Sequence, residues 1–180
     1  MSSPELPGLD VSSRVRARDI QMTGVADVGR RVLMITGAID TTDHDVSVSV
    51  SLPAPGRWQV IKAETNLTDQ TWVAMQAVLD EDSVFLDDAT LMSPQFAKSF
   101  MTPDQRRLTF YDGEVRPGEA VLKTYSMEAG GSKPAYFYSR YSPIATDSAE
   151  QSQQTLEELV SNGMRQRPVV ELIVPVSVIN

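Results

Sequence analysis

A chain of 180 residues, 41% hydrophobic and 22% charged, is sized and composed for one globular domain that buries its core without metal or disulfide help. It has no cysteine and one histidine, which excludes disulfides, iron–sulfur clusters, cysteine nucleophiles and zinc sites built on Cys or several His. Its net charge of −8 opposes the phosphates of nucleic acid and an anionic membrane surface, so neither is an expected partner.

Residues 1–12 read as an irregular N-terminal arm, because Pro4, Pro7 and Gly8 block regular structure; the β-domain is expected over 13–180. The arm has no basic stretch followed by an apolar one, so it does not read as a secretory signal peptide. From Ser13 the dominant period is two, with Val15, Ala17 and Asp19 opposite Arg14, Arg16 and Arg18 over 13–23. Arg31–Ile39 is apolar and β-branched. Val46, Val48, Val50 and Leu52 alternate with Ser47, Ser49 and Ser51, a half-buried strand that Pro53-Ala54-Pro55-Gly56 stops. Strands follow over Trp58–Glu64, Thr71–Leu79 and Ser83–Leu86. Phe96, Phe100 and Met101 suggest a short helical turn within Ser93–Thr102. Arg107–Tyr111 reads as a strand ended by Asp112-Gly113, a pair that tolerates positive φ. Glu119–Met127 leads to Gly130-Gly131, and Pro134–Tyr141 is an aromatic strand.

One helix is expected, over 148–162. Asp147 or Ser148 caps it, and Ser148 with Gln151 has capping-box spacing. Leu156, Leu159 and Val160 form its apolar stripe, and Asn162-Gly163 suits its end. The last run, Pro168–Ile179, contains Pro175, which cannot donate to a ladder and belongs on an edge or at a bulge. Roughly eight to ten strands with turn signals between them predict an all-β, single-domain antiparallel β-sandwich of jelly-roll type with one short helix. No apolar run approaches the ~20 residues of a membrane span.

The chemistry-bearing residues are sparse. His44 would have to be the base of any serine triad; it lies in the polar run Asp40–Asp45, no G-x-S-x-G elbow is present, and the run reads as a hydrophilic hairpin tip. Asp40, Asp43 and Asp45, or Asp80-Glu81-Asp82 with Asp87-Asp88, offer hard oxygen ligands without EF-hand spacing, and solvated loop charge is the simpler reading. No nucleotide cradle is signalled. No catalytic, cofactor-binding or metal residue is expected, and the chain does not read as an enzyme. Asn66-Leu67-Thr68 matches the glycosylation sequon, which matters only on a protein exposed outside a cell. Tyr136, Phe137, Tyr138, Arg140 and Tyr141 place aromatic residues on both faces of one strand. One face is core; the other stacks on a sugar or sits in a subunit contact, with plain core packing the commonest explanation for such a strand. Arg14, Arg16 and Arg18 share one face and either dock an acidic neighbour or keep an edge strand soluble.

Among the cations, 12 Arg stand against 4 Lys, and 14 Asp exceed 10 Glu. Adaptation to concentrated salt and a GC-rich genome both produce the first bias. An acidic, cysteine-free chain of this length, with arginine over lysine and this strand count, resembles the small single jelly-roll major capsid proteins of icosahedral, membrane-containing viruses of halophilic archaea. The resemblance covers residues 13–179 and has no diagnostic motif. It implies an upright sandwich in a virion shell, self-associating and pairing with a paralogous capsid chain. The alternatives are a carbohydrate-binding module using the aromatic strand and a phage tail or baseplate component. The residues expected at the intersubunit contact are Leu6, Leu9, Val11, Arg14, Arg16, Arg18, Val176 and Val178, since apolar residues in an arm without periodic structure gain burial only from a neighbour.

Overall fold

The computed structural model describes residues 9–10, 20–131, 135–163 and 167–179, with 9–10 and 135–138 described by their backbone. The described residues are mostly β, with one helix and two sheets. Its strands are β1 (Leu9–Asp10), β2 (Ile20–Asp27), β3 (Val32–Ile39), β4 (Asp45–Val50), β5 (Gly56–Asn66), β6 (Trp72–Leu79), β7 (Val84–Leu86), β8 (Phe96–Met101), β9 (Arg107–Val115), β10 (Ala120–Ala129), β11 (Ala135–Tyr141), β12 (Val169–Val174) and β13 (Val176–Ile179). The helix α1 (Ala149–Asn162) falls between β11 and β12.

One sheet runs β1-β12-β4-β11-β6-β9-β8 and the other β13-β2-β3-β5-β10-β7. Alternation selects the inward residues: Val46, Val48 and Val50 from β4, Trp58 and Val60 from β5, Val121, Tyr125 and Met127 from β10. These meet Trp72, Met75, Leu79, Leu108 and Phe110 in one hydrophobic core shared by both sheets.

The expectation of antiparallel pairing throughout is corrected at three places. β3 pairs with β5, β12 with β4, and β13 with β2, all in parallel. Parallel neighbours need a crossover. For β3 and β5 that crossover is β4, which lies in the opposite sheet, so the chain returns to its first sheet pointing the same way.

The helix forms where the capping box places it. Ser148 is the N-cap: its hydroxyl accepts from the Gln151 backbone at 3.1 Å, and the Gln151 side chain accepts from the Ser148 N–H at 3.2 Å. Gly163, at φ 103°, follows its end, with its N–H donating to the Leu159 carbonyl. Leu159 is buried, and its carbonyl accepts from Gln76, which also donates to the Thr109 hydroxyl at 2.8 Å. The helix therefore sits over the outward face of β6 and β9.

Two local readings are overturned. Ser93–Thr102 holds the edge strand β8 rather than a helical turn: pairing with β9 satisfies its backbone along one side, which a short turn cannot match. Asp112-Gly113 does not end β9. The strand runs on to Val115, and the pair, with Asp112 at φ 60°, fills a register shift opposite Trp72 and Ala74. A Cβ on Gly113 would lie 1.9 Å from the Gln95 carbonyl, so only glycine fits between β8 and β9 there. The long C-terminal run divides at Pro175 into β12, inside one sheet, and β13, at the edge of the other. The Pro175 carbonyl accepts from the Gly24 N–H at 2.9 Å as the chain changes sheets.

Candidate functional site

Of the residues expected at an intersubunit contact, Leu6, Val11, Arg14, Arg16 and Arg18 lie outside the described residues. Leu9 is described by its backbone, in the two-residue β1 that pairs Leu9 with Leu172 and Asp10 with Glu171. The two C-terminal valines separate. Val176 is half-buried against the protein's own core, near Gly24. Val178 is 54% exposed, beside Ile179 at 48%. Ile173, on the outward face of β12, is also exposed. β13 pairs with β2 on one side, and its other edge has no strand partner among the described residues.

The run Asp40–Asp45 is not a hairpin tip. It joins β3 of one sheet to β4 of the other, so it crosses the end of the core. Arg140 on β11 is buried, stacks on Trp72 at 5.4 Å and donates to the carbonyls of Thr41 (3.1 Å) and His44 (2.8 Å). Arg167 donates to the Thr42 carbonyl and pairs with the buried Asp45 carboxylate, both at 2.8 Å. Burial raises the Asp45 pKa against the pull of Arg167 and Arg140. The two arginines thus brace the crossing. Between it and α1 lies a cavity of about 390 Å³, with Thr42, Asp43, Arg140, Tyr141, Glu158 and Arg167 on its walls. His44 is buried, and neither ring nitrogen has a hydrogen-bond partner among the described residues. It therefore forms no nucleophile–base pair with any described side chain. The acidic residues that suggested a cation site do not converge: among the described residues no group of three or more His, Asp or Glu is placed to hold a metal.

A second polar centre lies between the sheets and was missed from sequence. Lys62 and Glu64 on β5 and Lys123 on β10 all point inward and are buried. Glu64 Oε1 lies 3.0 Å from Lys123 Nζ and 3.4 Å from Lys62 Nζ. Lys62 and Lys123 are register partners, so two ammonium groups reach one carboxylate from adjacent strands. Burial pushes the Lys123 pKa down to about 8; Glu64 opposes this, while Lys62 and Arg140 add to it. Burial lowers Lys62 as well, again against Glu64. The signal was present in the parity of β5, where Lys62, Glu64 and Asn66 continue the inward series of Trp58 and Val60.

Asn66 closes that series as a structural residue. Fully buried, it donates from its amide nitrogen to the carbonyls of Gln70 (2.8 Å) and Val115 (3.0 Å), while its oxygen accepts from Thr68. The sequon therefore builds a turn, and its amide is not presented at the surface.

β11 lies between β4 and β6 and is hydrogen-bonded on both sides; the side chains of Tyr136, Phe137 and Tyr138 are outside the described residues. No helix among the described residues is long and apolar enough to cross a membrane.

In comparison with known proteins, the model of a family of unknown function, DUF6423, matches residues 22–180. No curated protein and no solved structure matches the chain.

Proposed function

The chain belongs to the DUF6423 family, and from that premise we propose that it is a structural building block that assembles with copies of itself through the open edge of β13. The observation that supports this is the composition of that edge. Natural sheets blunt open edges with lysine, proline, bulges or inward charge. β13 is Val176-Ser177-Val178-Ile179: it carries no charge, and two of its apolar side chains stand in water. A second copy adding edge to edge around a twofold axis satisfies the unpaired backbone groups and covers Val178 and Ile179 of both chains at once. Ile173 extends the apolar surface onto the neighbouring sheet.

The wider form of this reading is a virion shell in which such contacts repeat, with a paralogous capsid chain as second partner and no catalytic role. It takes its form from the resemblance to single jelly-roll capsid proteins. The three parallel pairings depart from an all-antiparallel jelly roll, so the edge supports the proposal more than the topology does.

Sedimentation of the purified chain tests it. Dimers or larger species are expected, strengthened by salt, because screening within a Debye length of ~10 Å at 0.1 M relieves repulsion between acidic copies. Val178→Asp with Ile179→Asp should yield monomers with an unchanged circular dichroism spectrum. A wild-type chain that stays monomeric at every concentration and salt, or a double variant that assembles equally well, overturns the proposal.

A further inference from the structure

At the outer end of the β13-containing sheet, three arginines from two different segments converge on one pocket. The β2–β3 turn supplies Arg30 and Arg31. Asp27 Oδ1 accepts from the Arg30 N–H at 3.1 Å and closes the turn. Arg31 sits at φ 57°, a left-handed conformation that costs a residue with a Cβ. That conformation is held from three sides: the Arg31 carbonyl accepts from the Gln59 N–H, its guanidinium donates to the Pro55 carbonyl, and the same group stacks 5.0 Å from the Trp58 ring. β5 supplies Arg57, whose guanidinium is held by Asp88 at 2.8 Å. Asp88 is fixed in turn by the N–H and hydroxyl of Thr90, and the Thr90 hydroxyl lies 2.8 Å from that of the buried Ser126. The pocket enclosed by Arg30, Arg31, Arg57, Gln59, Thr90 and Ser126 has a volume of about 300 Å³.

The charge balance of this place runs against the rest of the molecule. The chain carries −8, yet of the three guanidinium groups here only that of Arg57 is paired with a carboxylate, Asp88, among the described residues. Asp27 is turned to the backbone of Arg30, and Glu128 stands opposite Arg57 on β10. Neither Arg30 nor Arg31 has a carboxylate partner among the described residues. The left-handed Arg31, its guanidinium held at Pro55 and Trp58, and the Arg57 guanidinium held at Asp88 set a fixed basic wall beside the exposed Arg30, a recess that suits a compact anion. Guanidinium forks match phosphate and sulfate oxygens in two-point contacts.

We propose that this pocket binds a phosphate or sulfate group, with Arg30 and Arg57 as the principal contacts and Arg31 as the fixed wall. The group is either a free inorganic anion or the head of a small phosphomonoester.

Calorimetric titration with inorganic phosphate, sulfate and phenyl phosphate, at constant ionic strength set by chloride, tests this. One saturable site is expected. Tighter binding of phenyl phosphate than of inorganic phosphate identifies a monoester pocket, and equal affinity identifies a site for the free anion. Arg30→Gln and Arg57→Gln are each expected to weaken binding on the order of tenfold, as fits loss of a charge-assisted contact. Arg116→Gln, at an exposed arginine paired with Glu114, should leave it unchanged. Absence of saturable binding at tens of millimolar, or equal binding by the Arg30→Gln, Arg57→Gln double variant, overturns the proposal.

Discussion

Lys62 and Lys123 between the sheets share one carboxylate, Glu64, while of Arg30, Arg31 and Arg57 at the surface only Arg57 is paired with one, Asp88, among the described residues. The two groups differ in access to water. The interior lysines and glutamate are shut away from it, while Arg57 keeps 62% of its side chain exposed. In the interior, water cannot replace a missing partner, so each charge is held by its neighbours alone, and burial lowers the pKa of both lysines. At the surface, water and salt share the load, and the same ion pairing contributes little to stability. The arginine cluster is therefore free to exchange partners, and the lysine cluster is not.

The sharpest way to break this comparison is to withdraw the interior carboxylate. Glu64→Gln removes the charge that both lysines reach and should cost about 3–5 kcal/mol of unfolding free energy, read from urea denaturation. Lys123→Met instead leaves one lysine with one glutamate, and stability should stay level or rise by about 1–2 kcal/mol. Equal losses in the two variants would show that the carboxylate is not shared in the way the distances indicate.

The pH dependence has a definite sign. In the folded chain Lys123 titrates at about 8, below its ordinary 10.5, so in that window the unfolded chain binds more protons. Unfolding there takes up a proton, and stability should rise from pH 8 to 10.5 by up to about 3 kcal/mol. The full cost of burying the charge is present below pH 8. Lys62 adds in the same direction. A flat urea midpoint across that range, or the same slope in Lys123→Met, would contradict this origin. The smallest effect belongs to the surface: Arg57→Gln should change stability by less than about 1 kcal/mol, in the same denaturation experiment.

Much of this architecture could be read from particular residues. The serine–valine alternation of β4 and the Ser148–Gln151 capping box are local signals, and local hydrogen bonding decides both. β8 could not be read, because its backbone is satisfied by β9, a partner that no local pattern reveals. The three parallel pairings depend on which sheet receives each strand, and alternation says nothing about that. Asp112-Gly113 has the chemistry of a turn, but the close approach of Gln95 uses it inside a strand. At the candidate sites, Val178 was legible as an apolar end of the chain. Val176 proved half-spent on the core. Arg57 is far in sequence from the adjacent Arg30 and Arg31, and they meet because β3 and β5 lie side by side.

The passage of the chain through Pro175 has a mechanical consequence. β12 is laced into one sheet and β13 into the other, each with a parallel neighbour, and a single residue separates them. Tension drawn along β13 runs in line with its ladder to β2, so the rungs share the load instead of opening one after another. What passes beyond β13 meets Pro175, whose carbonyl is tied to Gly24, and then the ladder of β12 with β4. The segment works as a lashing across both sheets, so pulling it free requires shearing two ladders.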